Sequence, residues 1–279
     1  MKVRFIICLF FVMLFLNMNA QENFSAALNF KTEPVDKIDF NETSFSLFFN
    51  ENLTQKSTIK NTLNYSNLNV NYDLGDFESF QNIDKFQKIE DKIEFSQEIS
   101  NSTKLHFSVT PMFSFQQDLD FTDFTLLGSF EISQQLNPKT TLSIGAARTT
   151  VFGNPKFLPT ASIRYTPNDK TNVWIGFPES SISYSNNTRN KFMLNNSFNG
   201  SFYNLDAQSN LNNTAKASLS QMTTSLEYER NVDRNWFLNF KAGYNFNKQY
   251  KLTDSDNHTT YDFNTGNGYM LGIGIKYKH

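Results

Sequence analysis

Apolar and polar side chains alternate along most of this chain. In the C-terminal segment Tyr269, Leu271, Ile273, Ile275 and Tyr277 share one phase, while Met270, Gly272, Gly274, Lys276 and Lys278 share the other. Successive strand side chains point to opposite faces, so this segment predicts a strand with one greasy face and one small or charged face. The segment before it repeats the arrangement: Trp236, Leu238, Phe240, Ala242, Tyr244 and Phe246 stand against Asn239, Lys241, Gly243, Asn245 and Asn247. Earlier, Leu105, Phe107, Val109, Phe113 and Phe115 alternate with His106, Ser108, Thr110 and Ser114, and Phe124, Leu126, Phe130 and Ile132 with Thr125, Ser129, Glu131 and Ser133. The phases persist for about ten residues, the length of a tilted membrane-crossing strand rather than a soluble one. A soluble exported β-sandwich is the alternative this pattern has to displace.

Short and long connections alternate. Tight turns are predicted at Asn101-Ser102-Thr103, Asn137-Pro138-Lys139, Pro167 to Lys170, Asn186 to Asn190 and Val232 to Asn235, all rich in turn-forming residues. Longer polar loops are predicted at Thr32–Asp39, Asp73–Glu90, Gln116–Phe121, Thr150–Lys156, Leu205–Thr214 and Lys248–Thr259. The implied fold is all-β: a transmembrane, antiparallel, up-and-down β-barrel of about 14 strands. The count falls to 12 if the short segments Asn172–Phe177 and Ser181–Ser185 fold inward. Pro111, which cannot donate to a ladder, predicts a bulge, as does a change of phase between Leu63, Tyr65 and Leu68, Val70, Tyr72.

The N-terminus places the barrel in an envelope. Lys2 and Arg4 precede an apolar run from Phe5 to Leu16 that is short for a bilayer crossing and gives way to a polar stretch ending in Ala20 and Gln21. This reads as a secretory signal peptide, residues 1–20, with the barrel over 21–279. The single cysteine, Cys8, lies inside the apolar run, so the exported chain has no disulfide framework and no thiol chemistry. Strand character begins at Phe24, which leaves no room for an N-terminal plug domain.

A net charge of −2, mean hydropathy of −0.47 and 15% aromatic residues exclude a bundle of membrane helices and a disordered chain, and the lack of a basic excess argues against nucleic-acid binding. Expected partners are outer-membrane lipid, the barrel-assembly machinery and a small solute. The charges of the polar phase are Glu94, Glu98, Glu131, Glu227 and Glu229 against Arg164, Lys241, Lys276 and Lys278, a mixture pointing to a lumen laced by ion pairs. His106, Glu131, Arg164, Glu227 and Lys241 are its predicted lining. Trp174, Phe177 and Pro178, beside two short strands, are predicted to narrow it. No phosphate loop, zinc spacing or dinucleotide fingerprint is present, and no cofactor or metal is implied. Asp254, Asp256, Asn257 and His258 read as a solvated loop.

The run Leu158 to Pro167, followed by Trp174-Ile175-Gly176-Phe177-Pro178-Glu179-Ser180 and Ile182-Ser183-Tyr184, resembles an uncharacterised family of outer-membrane β-barrel proteins. Leu226-Glu227-Tyr228-Glu229-Arg230 and Gly243 to Phe246 carry the same resemblance. It implies the fold and the compartment, and brings no ligand or catalytic residue. Three functions follow as expectations: a passive pore or small-solute channel of a Gram-negative envelope; a structural or surface-interaction barrel with a side-chain-filled lumen; and a barrel hydrolase built on His106, which the want of an evident serine partner disfavours. The chain is therefore read as a non-enzyme.

Overall fold

The computed structural model describes residues 24–73, 80, 82–206 and 214–279; the expected signal peptide lies outside them. Fifteen strands form one sheet: β1 (Phe24–Val35), β2 (Ile38–Asn52), β3 (Ser57–Tyr72), β4 (Lys85–Glu98), β5 (Thr103–Phe115), β6 (Phe124–Asn137), β7 (Thr140–Thr149), β8 (Lys156–Asn168), β9 (Thr171–Phe177), β10 (Glu179–Ser185), β11 (Asn190–Asn204), β12 (Lys216–Asp233), β13 (Trp236–Thr253), β14 (Thr259–Asp262) and β15 (Gly266–Lys278). From β1 to β13 each strand pairs antiparallel with its chain neighbours, and β15 closes the circle by pairing antiparallel with β13 on one side and β1 on the other. The short β14 only extends the far end of β13. The wall is thus a closed barrel of fourteen strands. No described helix is long and apolar enough to cross a membrane.

Period two decides the two faces. Phe30, Phe45, Phe107, Phe130, Ile144, Ile163, Ile175, Leu226, Phe240 and Ile273 are all exposed, and they mark the outer phase of their strands. The inner phase is hydroxyl- and amide-rich, with Ser108 bonded to Ser129 at 2.7 Å and Ser133 to Ser143 at 2.8 Å. The short strands β9 and β10 stand in the wall, paired with β8 and β11, so the count is fourteen and not twelve.

Both predicted bulges are absent. Across Pro111 the β4–β5 register is the same on either side of an unpaired step, and Pro111 sits opposite Leu126 in an unbroken β5–β6 ladder. The missing donor costs local pairing without inserting a residue. Leu68, Val70 and Tyr72 likewise keep continuous register with β2, opposite Glu42, Phe40 and Ile38. The phase did not slip; the inner face turned apolar. A real irregularity lies in β13, where Asn247 has φ 50° and the register shifts by one between Asn245 and Lys248. Beyond it Lys248, Tyr250 and Leu252 take the inward positions, and all three are buried. Thr32–Val35, Ile38–Asp39 and Lys248–Thr253 are strand within segments expected to be loops, with only Asp36 and Lys37 left as the turn between β1 and β2, so the barrel extends further at the end bearing the long loops.

At that loop end the interior is filled. Ile38, Phe40, Leu68, Val70, Phe80, Ile83, Phe86, Tyr203, Ala217, Tyr250, Leu252 and Phe263 form one buried apolar cluster. Phe86 on β4 and Tyr203 on β11 pack with ring centres 4.9 Å apart and planes tilted by 30°, although the two strands lie seven places apart in either direction around the wall. Beside them a parallel bridge joins Phe115 of β5 to Asn204 of β11. β10 ends opposite Ser197, leaving Phe198–Asn204 of β11 to reach across to β5. The loop end therefore closes as nine strands, β11, β12, β13, β15 and β1–β5, while β6–β10 stop lower.

Candidate functional site

The interior divides into three levels. Uppermost is the aromatic cluster, where Tyr250 stacks on Phe263 at 4.4 Å, meets Phe40 edge-on at 5.4 Å, and shares a 2.6 Å hydrogen bond with the Tyr72 hydroxyl, which also donates to the Ile83 carbonyl at 2.7 Å. The Tyr72 and Tyr250 hydroxyls thus satisfy each other inside the cluster, as burial demands.

Beneath it lies a charged layer absent from the predicted lining. Lys248 is buried and bonds Glu33 at 2.5 Å with its ammonium 3.5 Å from the Phe40 ring centre; Gln221 also donates to Glu33. Lys31 joins Glu33 at 3.0 Å and Glu42 at 2.7 Å, and Lys88 joins Glu90 at 3.3 Å. β13 and β1 are not neighbours, so the Lys248–Glu33 pair crosses the interior over β15. The alternation of Lys31, Glu33 and Glu42 in the polar phase was the available signal, masked by reading their surroundings as a loop.

The lowest level, toward the short turns, is open. A cavity of about 360 Å³ is lined by Asn29, Lys31, Glu42, Ser44, Glu227, Asn239, Lys241 and Lys276 among others, and a smaller one of about 120 Å³ adjoins it at Glu227, Glu229, Lys191, Lys276 and Lys278. Of the predicted lining, Glu227 accepts hydrogen bonds from Asn195 at 3.3 Å and from Asn239, and stands in register with Lys241. His106 shares a 2.8 Å hydrogen bond with Ser96 and sits opposite Glu131, but no hydrogen bond joins His106 to Glu131. Ser96, His106 and Glu131 thus occupy adjacent strands, and the serine partner that sequence did not reveal is Ser96. Their backbone N–H groups lie within the strand ladders rather than in a turn that could present an oxyanion hole.

Trp174, Phe177 and Pro178 do not act together. Trp174 lies opposite Arg164, whose guanidinium rests 4.6 Å from the indole centre, on the inner face. Phe177 is opposite Ala161 in the phase of Ile163 and Ile175, and so faces outward, where it meets Phe152 at 6.2 Å and Phe198 at 5.5 Å. Pro178 accepts from the Phe198 N–H at 3.0 Å in the link between β9 and β10. In the loop after β13, Asp254 accepts from the backbone N–H of His258 at 2.8 Å and of Asp256 at 2.9 Å, which holds its carboxyl below the usual aspartate range and serves the turn itself.

Fold and interior define a fourteen-stranded barrel of the kind built by outer-membrane channels. The COG4313 outer membrane channel from Pseudomonas putida F1 superposes with a TM-score of 0.51 at 7% identity, over 92% of this chain and 95% of that one. The TodX monoaromatic hydrocarbon channel, as a deltaS2 mutant, gives 0.50 at 10% identity, over 92% and 89%. At such identity the likeness is one of fold. The chain belongs to the family described as "Domain of unknown function (DUF6268)", whose family model matches residues 44–278. Comparison with curated proteins gives no sequence match.

Proposed function

We propose that the protein is an outer-membrane channel for a small polar solute, with its loop-end mouth shut in the conformation described. The observation carrying this reading is the contrast between the two faces of the wall: an apolar outer phase suited to lipid surrounds an inner phase of hydroxyls, amides and charges around an open cavity. A barrel built only to be filled has no need of that lining. The loop end supports closure at one level, because the aromatic cluster joins opposite walls through Phe86 and Tyr203.

Planar-bilayer recording tests the reading. The wild type should conduct rarely and at low amplitude, whereas Phe86→Ala with Tyr203→Ala should give frequent, larger openings. If that variant folds and both proteins stay silent, the channel reading fails. The second reading, a barrel that passes nothing and serves as scaffold or surface-interaction element, would then stand; the buried loop-end cluster is the observation in its favour.

A further inference from the structure

The solute can be narrowed to a chemical class, an inference that rests on the channel reading for its use. On the inner face of β15 two glycines stand where other strands carry side chains. Gly272 lies in register between Lys31 of β1 and Lys241 of β13, and Gly274 between Asn29 and Asn239 on the same two strands. With neighbouring strands ~4.8 Å apart, the two lysine backbones stand about 10 Å apart across Gly272, and the two asparagines repeat that spacing ~7 Å nearer the turns. The outcome is a trough along the 360 Å³ cavity, floored by main chain at Gly272 between the two lysines and closed at Gly274 by the Asn29 side chain, which lies over that glycine. A β-carbon on Gly272 would touch nothing nearer than the Phe30 carbonyl at 3.4 Å and the Lys241 Cβ at 3.5 Å, so the trough is open above it.

The flanking groups are unequally engaged. Lys31 is held by Glu33 and Glu42, and the Asn239 amide donates to Glu227. By contrast, the Lys241 ammonium and the Asn29 amide have no hydrogen bond or ion pair among the described residues, although both are only partly exposed. Lys276 and Lys278 share the single carboxylate of Glu229 at 2.7 and 3.0 Å, and Lys191, in register with Glu229, has no ion pair either. On this stretch of wall Lys191, Lys241, Lys276 and Lys278 therefore outnumber Glu227 and Glu229 by two charges. A partly buried ammonium that makes no ion pair, even with Glu227 opposite it, favours an anion beside it on a stretch of wall with excess positive charge, and a free amide next to a serine, here Ser44 opposite Asn29, favours hydroxyls.

We infer that the trough binds a small hydroxylated carboxylate, its carboxylate on Lys241 above Gly272 and its hydroxyls on Asn29 and Ser44. Calorimetric titration of the full chain in detergent tests this with three probes: gluconate, the neutral polyol sorbitol, and inorganic phosphate. Gluconate should bind, and sorbitol and phosphate should bind at least about tenfold more weakly. Lys241→Gln should weaken gluconate about tenfold or more, and Gly272→Val, which fills the trough from a position where a β-carbon fits, should abolish it. Lys104→Gln, on β5 and paired with Glu98, should change nothing. Each variant is first checked for a folded band on an unheated gel; should Gly272→Val not fold, Lys241→Gln decides. No gluconate heat, or equal affinity in Lys241→Gln and wild type, overturns the site; phosphate binding as tightly as gluconate overturns the hydroxyl contacts. Titration needs no conduction, so a silent barrel that binds gluconate removes the channel and keeps the site, and a conducting barrel that does not bind it does the reverse.

Discussion

Tyr250→Ala removes the side chain on which the loop-end cluster converges. The ring is fully buried, stacked on Phe263 and edge-on to Phe40, and its hydroxyl completes the Tyr72 hydrogen bond. Burying an aromatic ring of roughly 200 Å² is worth about 5 kcal/mol at ~25 cal/mol per Å². Large-to-small aromatic truncations cost about 3–5 kcal/mol, so the lower end applies if water enters the space. Tyr250→Phe keeps the ring, and the Tyr72 hydroxyl keeps its bond to the Ile83 carbonyl, so that change should cost only about 1 kcal/mol. The lost energy belongs to the upper segments of β13 and β14 rather than to the ladders of the lower wall. Limited proteolysis in detergent should therefore show cleavage within Lys248–Phe263 accelerated about a hundredfold or more in Tyr250→Ala, and only a few-fold in Tyr250→Phe, while the turn half stays intact. Unchanged cleavage in Tyr250→Ala would show that the cluster does not hold the mouth shut. Uniform cleavage along the chain would show that mouth and wall unfold together.

Adjacent positions of β13 should differ in tolerance: Phe240→Arg, further from the turn than Leu238, meets lipid, where Arg costs about 2–4 kcal/mol at the midplane and less toward the interfaces, whereas Asn239→Arg faces the lumen, so folded yield after refolding should fall only for the first. Breaking the buried Glu33–Lys248 pair by Glu33→Gln should destabilise the loop end by about 3–5 kcal/mol, and Lys248→Met added to it should restore much of that; protection of β13 amides from hydrogen exchange reads both. Gly200→Ala would drive a β-carbon into the Thr150 carbonyl and the Gly153 N–H, so the loop between β7 and β8 should detach, seen as faster exchange over Thr150–Lys156 with β11 unaffected.

The wall was legible in the sequence because outward apolar residues at every second position are what a lipid-facing strand requires, and β5, β6, β13 and β15 satisfy that for most of their length. The filling was not. The reading equated apolar with outward, an equation that fails wherever the lumen holds its own core. Leu68, Val70 and Tyr72 consequently read as a change of phase, and Tyr250 and Leu252 as a loop, although the register of β2–β3 is unbroken and β13 reorients through a single bulge at Asn247. Nothing local marks that bulge, since Asn247 is one asparagine among many. Lys241 and Glu227 were legible as inward by parity alone; the trough beside Lys241 needed the register of three strands, which joins residues from opposite ends of the chain. Trp174 and Phe177 share a short strand but not a face, as a separation of three residues dictates once the segment is a wall strand rather than an inward fold.

The drop from fourteen strands to nine has a consequence in parity. Up-and-down strands alternate in direction, so an even ring can close with every seam antiparallel, but an odd ring must contain one seam whose two edges run the same way. In the upper ring that seam lies between β5 and β11, and a single parallel bridge, Phe115 to Asn204, stitches it. Elsewhere around the upper ring the neighbours are sewn together by long antiparallel ladders, fifteen residue pairs in the case of β2 and β3. Widening the mouth at any other seam means unpicking such a ladder; widening it here means releasing that bridge, the Phe86–Tyr203 contact and the hydrogen bonds from Asn204 to Thr122 and from Asp206 to Gln116. The circumference of the loop end is thus adjustable at one place, and chain topology alone selects it.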